Sequence, residues 1–169
     1  MLTLRDATVA DAPALYEAER VTASITGHLL SESDELSLAS FVDRINELSD
    51  GRGKYLVAEK NGLLIGHGNL CPMPLRNVAH VVRLDICIHH GHTGRGHGRV
   101  ILSELVGWAR SHPGTRKIEL LVRSVNEPAI ALYRSIGFVE EGRLGKRVRL
   151  ADGSFCDDLC MALFVEHRS

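Results

Sequence analysis

The segment from Asp85 to Arg99 constrains the fold of this chain more than any other. An apolar, β-branched run ends at Ile88, glycines follow at positions 94, 96 and 98, and a long amphipathic pattern begins directly after them. This order predicts a strand, a tight turn and a helix. Glycines let backbone N–H groups approach a ligand closely, and the first turn of a helix adds unpaired donors and a positive dipole end. The segment therefore predicts a site for a phosphate or pyrophosphate.

The spacing of these glycines separates the turn from two common phosphate-binding motifs. A P-loop needs Gly-x-x-x-x-Gly-Lys-Ser/Thr, and a dinucleotide fingerprint needs G-x-G-x-x-G near the start of a βαβ unit. The sequence has no Lys-Ser or Lys-Thr pair, and residues 93–98 read T-G-R-G-H-G. This stretch resembles motif A, [QR]-x-x-G-x-[GA], of the GNAT N-acetyltransferase superfamily, whose backbone amides hold the pyrophosphate of acetyl-CoA. Thr93 stands where the family usually has Gln or Arg.

A second stretch strengthens the resemblance. Residues 126–138 read N-E-P-A-I-A-L-Y-R-S-I-G-F and match motif B, N-x-x-A-x-x-[LF]-Y-x-x-x-G-F, at each defining position. The two motifs occur in the order that the family uses. The residues from Gly137 to Ala162 are similar to the ending of a bacterial branch that includes ribosomal-protein and small-amine or amino-acid N-acetyltransferases.

Length and charge narrow the class of protein. A chain of 169 residues, 44% hydrophobic and 24% charged, can bury the core of one domain, so residues 1–169 are expected to form a single domain. A net charge of −1 gives no field that would favour nucleic acid or an anionic membrane. The first residues lack a basic region followed by an apolar core, and no run approaches the ~20 apolar residues that span a bilayer. These features predict a cytoplasmic protein.

The cysteines and histidines do not follow a metal-binding pattern. The four cysteines form no C-x-x-C pair, and three of them lie in apolar, strand-like sequence. Free buried thiols in a reducing compartment are therefore expected. His89, His90, His92 and His97 straddle the glycine turn instead of lining one face of an element, so no metal site is predicted.

The patterns along the chain predict alternating strands and helices. The first strand spans 2–7, and Thr8 and Asp11 have capping-box spacing for a helix that turns Ala12, Leu15 and Ala18 or Glu19 inward, with a loop expected over 22–33. The patterns then predict a helix over 38–48, a hairpin of 54–60 and 63–70 around Asn61-Gly62, and a strand over 80–88. They next predict a helix from Gly98, a strand over 117–122, a helix to Ile136 capped by Asn126 or Glu127, and a hairpin of 138–150 and 155–164.

The resemblance implies a specific α/β (α+β) fold. It is a single-domain GNAT fold with a mixed, mostly antiparallel, seven-stranded sheet that splays between strands 4 and 5, and about four helices. The predicted crossover from the strand over 80–88 to the strand over 117–122 is parallel and right-handed, which agrees with that outline.

The resemblance also implies an activity and a set of site residues. A family member moves an acetyl group from acetyl-CoA, its cosubstrate, to a primary amine by direct attack in a ternary complex. Tyr133 would be the general acid facing the CoA sulfur. Asp85 would be a candidate general base; His89, Asp157 or an amine that binds already neutral stay open as alternatives. The implied cofactor contacts come from Ile86, Cys87 and Ile88 along the pantetheine arm, from Thr93, Gly94, Arg95, Gly96, His97, Gly98 and Arg99 at the pyrophosphate, and from Asn126 and Tyr133.

The acceptor is less constrained by the sequence. Asp157 or Asp158 would suit a cationic amine, and a small-molecule amine or amino acid is favoured over a protein N-terminus. Thr93 and the open choice of base also leave room for a module that binds acyl-CoA without transferring the acyl group. A nucleotide-binding protein is a more distant alternative, and a homodimer stays open.

Overall fold

A computed structural model describes residues 1–26 and 29–166. Its centre is one seven-stranded sheet in the order β1-β2-β3-β4-β5-β7-β6. The strands are β1 (Leu2–Asp6), β2 (Lys54–Lys60), β3 (Leu63–Pro72), β4 (Val81–Ile88), β5 (Lys117–Arg123), β6 (Val139–Arg149) and β7 (Phe155–Phe164). Only β4 and β5 run parallel among these described strands; the other neighbours are antiparallel.

Helices cover both faces of the sheet. They are α1 (Ala12–Thr26), α2 (Leu38–Leu48), α3 (His97–Ser111) and α4 (Glu127–Ile136), with short 3₁₀ turns at Val9–Asp11 and Arg76–Val78. Alternation along β2 shows which helices share a face. Leu56 and Ala58 join the core beneath α3 and α4, whereas Tyr55 and Val57 join a second core with α1 and α2.

The parallel pairing of β4 with β5 is short. The two strands pair from Val81–Lys117 to Arg83–Glu119, while β4 continues to Ile88 and β5 to Arg123. The second half of β4 keeps its antiparallel register with β3 as far as Gly66–Ile88. The sheet therefore opens between β4 and β5 at the end that leads into the glycine turn, which confirms the predicted splay.

Helix α1 is longer than the sequence pattern indicated. A loop was expected from Thr22, but the helix runs to Thr26. No Gly or Pro interrupts residues 14–26, so nothing ends the helix at Thr22. Thr22 is buried. Its Oγ1 donates a hydrogen bond to the Ala18 carbonyl at 2.7 Å and accepts one from the His90 N–H at 3.0 Å. The part of the expected loop at 27–28 lies outside the described residues, as does 167–169 of the expected domain.

Most other boundaries agree with the sequence pattern within a residue or two. Strand β4 begins at Val81 instead of residue 80, β3 extends through Pro72 at the end of its ladder, and α3 begins at His97. No helix within residues 1–26 and 29–166 combines the length and apolar character needed to cross a membrane.

Candidate active site

The glycine turn has the geometry of an anion site. Gly94 (φ 70°) and Gly96 (φ 80°) adopt left-handed backbone conformations, and Gly96 is the N-cap of α3. A Cβ at either position would meet open space, so the conformation and not crowding requires glycine. The first turn of α3 presents N–H groups of residues 97–99 that no helical carbonyl can accept. These donors and the helix dipole favour a diphosphate at this end.

The side chains around the turn add polar groups. Arg95 and Arg99 are exposed, and Arg99 donates to Ser135 Oγ at 2.8 Å. His97 is buried, and its Nε2 has no hydrogen-bond partner among the described residues. Thr93 is exposed at the start of the turn. The residues that the sequence assigned to the pyrophosphate thus lie together at the mouth of the gap between β4 and β5.

Strand β4 separates two environments by alternation. Ile86 and Ile88 pack against the core on the α3 side, whereas Asp85 and Cys87 line a cavity on the opposite face, to which Ile86 also contributes. The register of β3 places Asn69 beside Asp85 and His67 beside Cys87, which adds both side chains to the cavity wall. One strand therefore carries the predicted pantetheine contacts and a predicted catalytic carboxylate.

Tyr133 and Asp85 lie close enough to interact electrostatically. Tyr133 is 7% exposed on α4, and its ring packs against Phe138 with centroids 5.6 Å apart. Burial raises the pKa of Tyr133 to about 12, and the negative charge of Asp85 adds to the effect. The phenol therefore keeps its proton at neutral pH. The protein around Asp85 likewise desolvates its carboxyl and raises its pKa, against the opposing charges of Arg83 and Arg44.

Asn126 fixes the helix that carries Tyr133. Its Oδ1 accepts a hydrogen bond from the Ala129 N–H at 3.3 Å, and Pro128 occupies the first turn. Gly137 ends α4 in a left-handed conformation (φ 113°). Asn126 is therefore the helix cap, one of the two roles expected for it.

The cavity beside Asp85 has a volume of about 370 Å³. Its wall combines two carboxylates, Glu19 and Asp85, with two guanidinium groups, Arg44 and Arg83. Asn69 is 7% exposed, and its Oδ1 has no partner among the described residues. The remaining lining residues come from α1, α2, the segment between them and strands β2 to β4: Leu29, Leu30, Ser31, Leu36, Ser40, Phe41, Tyr55, His67, Ile86 and Cys87.

Sequence reasoning missed a row of hydrogen-bonded groups that begins in this wall and continues behind it. Glu19 Oε2 lies 2.9 Å from His67 Nε2, His67 Nδ1 lies 3.1 Å from His89 Nε2, and His89 Nδ1 lies 3.0 Å from the Leu64 carbonyl oxygen. The α1 pattern had allowed Glu19 to point inward, one turn after the buried Leu15. Nothing in the sequence indicated that His67 meets it, because that contact depends on how α1 crosses β3.

Three polar side chains of the cavity wall lie close together. The polar atoms of this trio, Glu19, His67 and Cys87, lie within 4.8 Å of one another. Burial raises the pKa of the Cys87 thiol, so this group stays protonated at neutral pH. His90, His92 and His97, which the sequence analysis considered, do not belong to the trio.

The other candidate bases, His89 and Asp157, and the acceptor candidate Asp158 lie in different surroundings. His89 is 3% exposed and contacts His67, which lines the cavity. Asp157 lies on β7, where its carboxylate accepts from the Lys146 N–H at 2.8 Å and from Arg143 at 3.4 Å. Asp158 is buried on the same strand, near Arg147. Neither aspartate lines the cavity.

Two relatives of the chain are named as N-acetyltransferases. Over 116 residues it is 32% identical to the L-amino acid N-acetyltransferase AaaT of Escherichia coli K12, which covers 68% of this chain and 71% of that protein. Over 100 residues it is 33% identical to the N-alpha-acetyltransferase RimI of Mycobacterium tuberculosis H37Rv, covering 57% and 58%. The chain spans between 30% and 71% of the length of the curated relatives that it matches.

Solved structures share the whole fold. The phosphinothricin acetyltransferase Pat of Sinorhizobium meliloti, solved with acetyl-CoA, superposes with a TM-score of 0.86 at 25% identity, covering 97% of this chain and 88% of that one. The family model for the acetyltransferase (GNAT) family matches residues 13–138, from the first helix through both motifs. The chain is therefore a member of the GNAT acetyltransferase family.

Proposed function

We propose that this protein transfers the acetyl group of acetyl-CoA to the amino group of a small amino-carboxylate, an amino acid or a close analogue, in a ternary complex. One observation carries the acceptor class. The cavity next to the β4–β5 gap pairs two carboxylates, Glu19 and Asp85, with two guanidinium groups, Arg44 and Arg83. An amino acid carries one charge of each sign and would satisfy both pairs.

The donor would enter from the glycine turn. The N–H groups of residues 93–99 would bind the pyrophosphate, with charge-assisted contacts from Arg95 and Arg99. The backbone of Ile86, Cys87 and Ile88 would pair with the pantetheine arm, because β4 no longer pairs with β5 at these residues. This path brings the thioester towards Tyr133, and the solved complex of Pat with acetyl-CoA supports it at the level of the fold.

The proton balance defines the chemistry that the site must perform. The acceptor enters as an ammonium ion and leaves as an amide, so its nitrogen loses two protons. A C–N bond forms, the C–S bond breaks, the sulfur receives one proton, and one proton leaves to solvent. Tyr133 would donate the proton to the departing thiolate, and Asp85 would take a proton from the nitrogen once it has attacked. Their electrostatic proximity supports this pairing.

The cavity would also orient the acceptor. Arg44 on α2 and Arg83 on β4 would hold the carboxylate, which leaves the amino group near Asp85. The buried Asn69 Oδ1 would accept a hydrogen bond from the same amino group. The name of the relative AaaT supports an amino-acid acceptor. The name of the relative RimI favours a second candidate, the N-terminus of a protein.

The proposed location is the cytoplasm. All four cysteines are free thiols in the structure, and such thiols persist in a reducing compartment.

An acceptor panel tests the proposal. Purified protein with acetyl-CoA would be assayed for free CoA thiol with amino acids, their amides, the matching decarboxylated amines and short peptides. We expect turnover to require both the amino group and the free carboxylate, so that amides and simple amines are at least about tenfold poorer in kcat/KM. A preference for peptides would indicate the N-terminal alternative. If none of the amines in the panel supports thiol release, the proposal is overturned, and a module that binds acyl-CoA without transferring the acyl group remains.

A further inference from the structure

The row formed by Glu19, His67 and His89 ends on the backbone carbonyl of Leu64. A carbonyl oxygen can only accept a hydrogen bond, so His89 Nδ1 must carry a proton. Burial, the largest cause, and the nearby His67 lower the pKa of His89 to about 4, so the ring is neutral at pH 7 and its Nε2 is an acceptor. His67 must then donate from Nδ1.

Counting protons along this row gives a definite result. With Nδ1 of His67 protonated, the contact between His67 Nε2 and Glu19 Oε2 at 2.9 Å is a hydrogen bond only if a further proton lies between them. That proton makes either an imidazolium beside a carboxylate or a neutral imidazole beside a carboxylic acid. Without it, two lone pairs face each other. The row therefore gains its third hydrogen bond when it takes up one proton.

Packing around His67 fixes the orientation of its ring, whereas the Glu19 side chain is partly exposed to the cavity. The His67 side chain is 6% exposed, and its ring meets Phe41 and Tyr55 with centroids 6.3 and 5.8 Å apart. The Glu19 side chain is 20% exposed and lines the acceptor cavity. A proton can therefore enter or leave the row at Glu19, on the side where the acceptor would bind.

Other ionisable groups face this pair from every neighbouring element. They are Arg44 on α2, Tyr55 on β2, and Arg83, Asp85 and Cys87 on β4. Burial, and next the charge of Glu19, raises the pKa of both Tyr55 and Cys87, so these two groups stay neutral. Arg44 and Arg83 offset the charge of Asp85. The Glu19–His67 pair and Asp85 are thus the two places on the wall that can accept a proton from the acceptor.

We propose that Glu19 takes the first proton from the bound ammonium group, with His67 and His89 as the positioning residues that complete a hydrogen bond when the proton arrives. This inference rests on the proposed function. The first of the two protons lost by nitrogen passes to the Glu19–His67 pair and leaves to solvent after product release. The second passes from the attacking nitrogen to Asp85, and Tyr133 protonates the sulfur. The acceptor becomes nucleophilic inside the site and does not need to bind in its rare neutral form.

One substitution separates this role from a structural one. In Glu19→Gln the amide N–H can donate to His67 Nε2, so all three hydrogen bonds form with neutral histidines and no further proton. We expect the Tm of E19Q to equal or exceed that of the wild type. We expect kcat/KM at pH 7 to fall about 100-fold and the gap to close by about tenfold per pH unit towards the pKa of the free amine. Glu17→Gln, an exposed carboxylate on the same helix, is the matched control and should leave kcat/KM unchanged.

A second measurement does not depend on turnover. In protein labelled with ¹⁵N-histidine, His67 and His89 should both carry a proton on Nδ1, in the wild type and in E19Q, because the row needs a donor at each of these two nitrogens. An equal loss in E19Q at every pH, or a rise in KM alone, would overturn the proton role and leave the proposed function intact. Failure of the wild type on every amine would overturn the proposed function instead. A His67 ring that carries its proton only on Nε2 would overturn the proton role independently of turnover.

Discussion

At the scale of single residues, the site depends on where its ionisable groups are buried. Tyr133 is almost fully buried, and its pKa of about 12 keeps the phenol protonated throughout the pH range in which the protein would work. Asp85 opens onto the cavity and has its own pKa raised by desolvation. Acetyl transfer from sulfur to nitrogen needs a carboxylate that accepts a proton from the nitrogen and an acid that donates a proton to the sulfur.

Removing the hydroxyl group of Tyr133 tests its proposed role as the general acid. We expect Tyr133→Phe to lower kcat about 100-fold while the KM for acetyl-CoA changes less than about threefold, because the ring still fills its place beside Phe138. Below about pH 10 the wild type should show no falling limb in kcat that depends on this phenol. Steady-state kinetics between pH 6 and 10 would measure both. Tyr16→Phe, on α1, is the control, and an unchanged kcat in Y133F would exclude the role.

Asp11 supports a second prediction, on stability. Arg5 binds its carboxylate through two nitrogens at 2.8 Å each, and the Thr8 N–H and Oγ1 donate to it at 2.8 and 3.0 Å. The Arg5 bond is the largest cause that lowers the pKa of Asp11 to about 2. Because the folded pKa is lower than the unfolded one, the stabilisation is complete above about pH 4 and is lost as the pH falls towards 2. We expect Asp11→Asn to lower the unfolding free energy by about 1–2 kcal/mol at pH 7.

Urea denaturation across pH would check this stability effect. The difference between Asp11→Asn and the wild type should shrink steadily below pH 4. Asp6→Asn, whose exposed carboxylate pairs with Lys54, should change the unfolding free energy by less than about 0.5 kcal/mol. A D11N difference that stays constant between pH 7 and 2 would show that the carboxylate charge is not the cause.

At the scale of helices and strands, local patterns predicted most of the fold. Spacing and turn residues correctly predicted α2 to α4, the hairpin around Asn61-Gly62 and the strand that leads into the glycine turn. The polar residues from Thr22 onwards were wrongly interpreted as a loop, although no Gly or Pro ends the helix there; the bond from the distant His90 to Thr22 could not be predicted from local sequence. Local patterns also missed the contact of Glu19 with His67, which depends on the crossing of α1 over β3. The placement of Tyr133 near Asp85 was available only through the family resemblance.

The turn before α3 supports an element-scale prediction. Gly96 has φ 80° at the N-cap of α3, so Gly96→Ala should lower the unfolding free energy by about 1–2 kcal/mol. The strained turn would also weaken CoA binding by at least about tenfold in a calorimetric titration. Gly107→Ala, in the exposed interior of the same helix where a Cβ meets open space, should instead stabilise by about 0.5–1 kcal/mol and leave CoA affinity unchanged. Equal effects of the two substitutions would argue against a special role for the turn.

At the scale of the whole molecule, a donor bound in the proposed way would connect α3 with the open end of the sheet. CoA at about 100 times its Kd should stabilise the fold by about 2.7 kcal/mol and raise the Tm by about 5–10 °C. Differential scanning fluorimetry would measure the shift. Pantetheine at the same concentration should give little shift, because it lacks the diphosphate that the turn would hold. An equal shift with pantetheine would place the main binding energy away from the turn.

The early parting of β4 from β5 also bears on the order of events in a catalytic cycle. The residues of β4 beyond Arg83 border the gap between β4 and β5 and, at Asp85 and Cys87, line the cavity. A pantetheine arm bound in the proposed way would supply the hydrogen-bonding neighbour that β4 lacks on its β5 side, and it would so stiffen this wall of the cavity. The proposed acceptor would then bind to a rigid wall only after the donor has bound, which favours a sequential order with the thioester first.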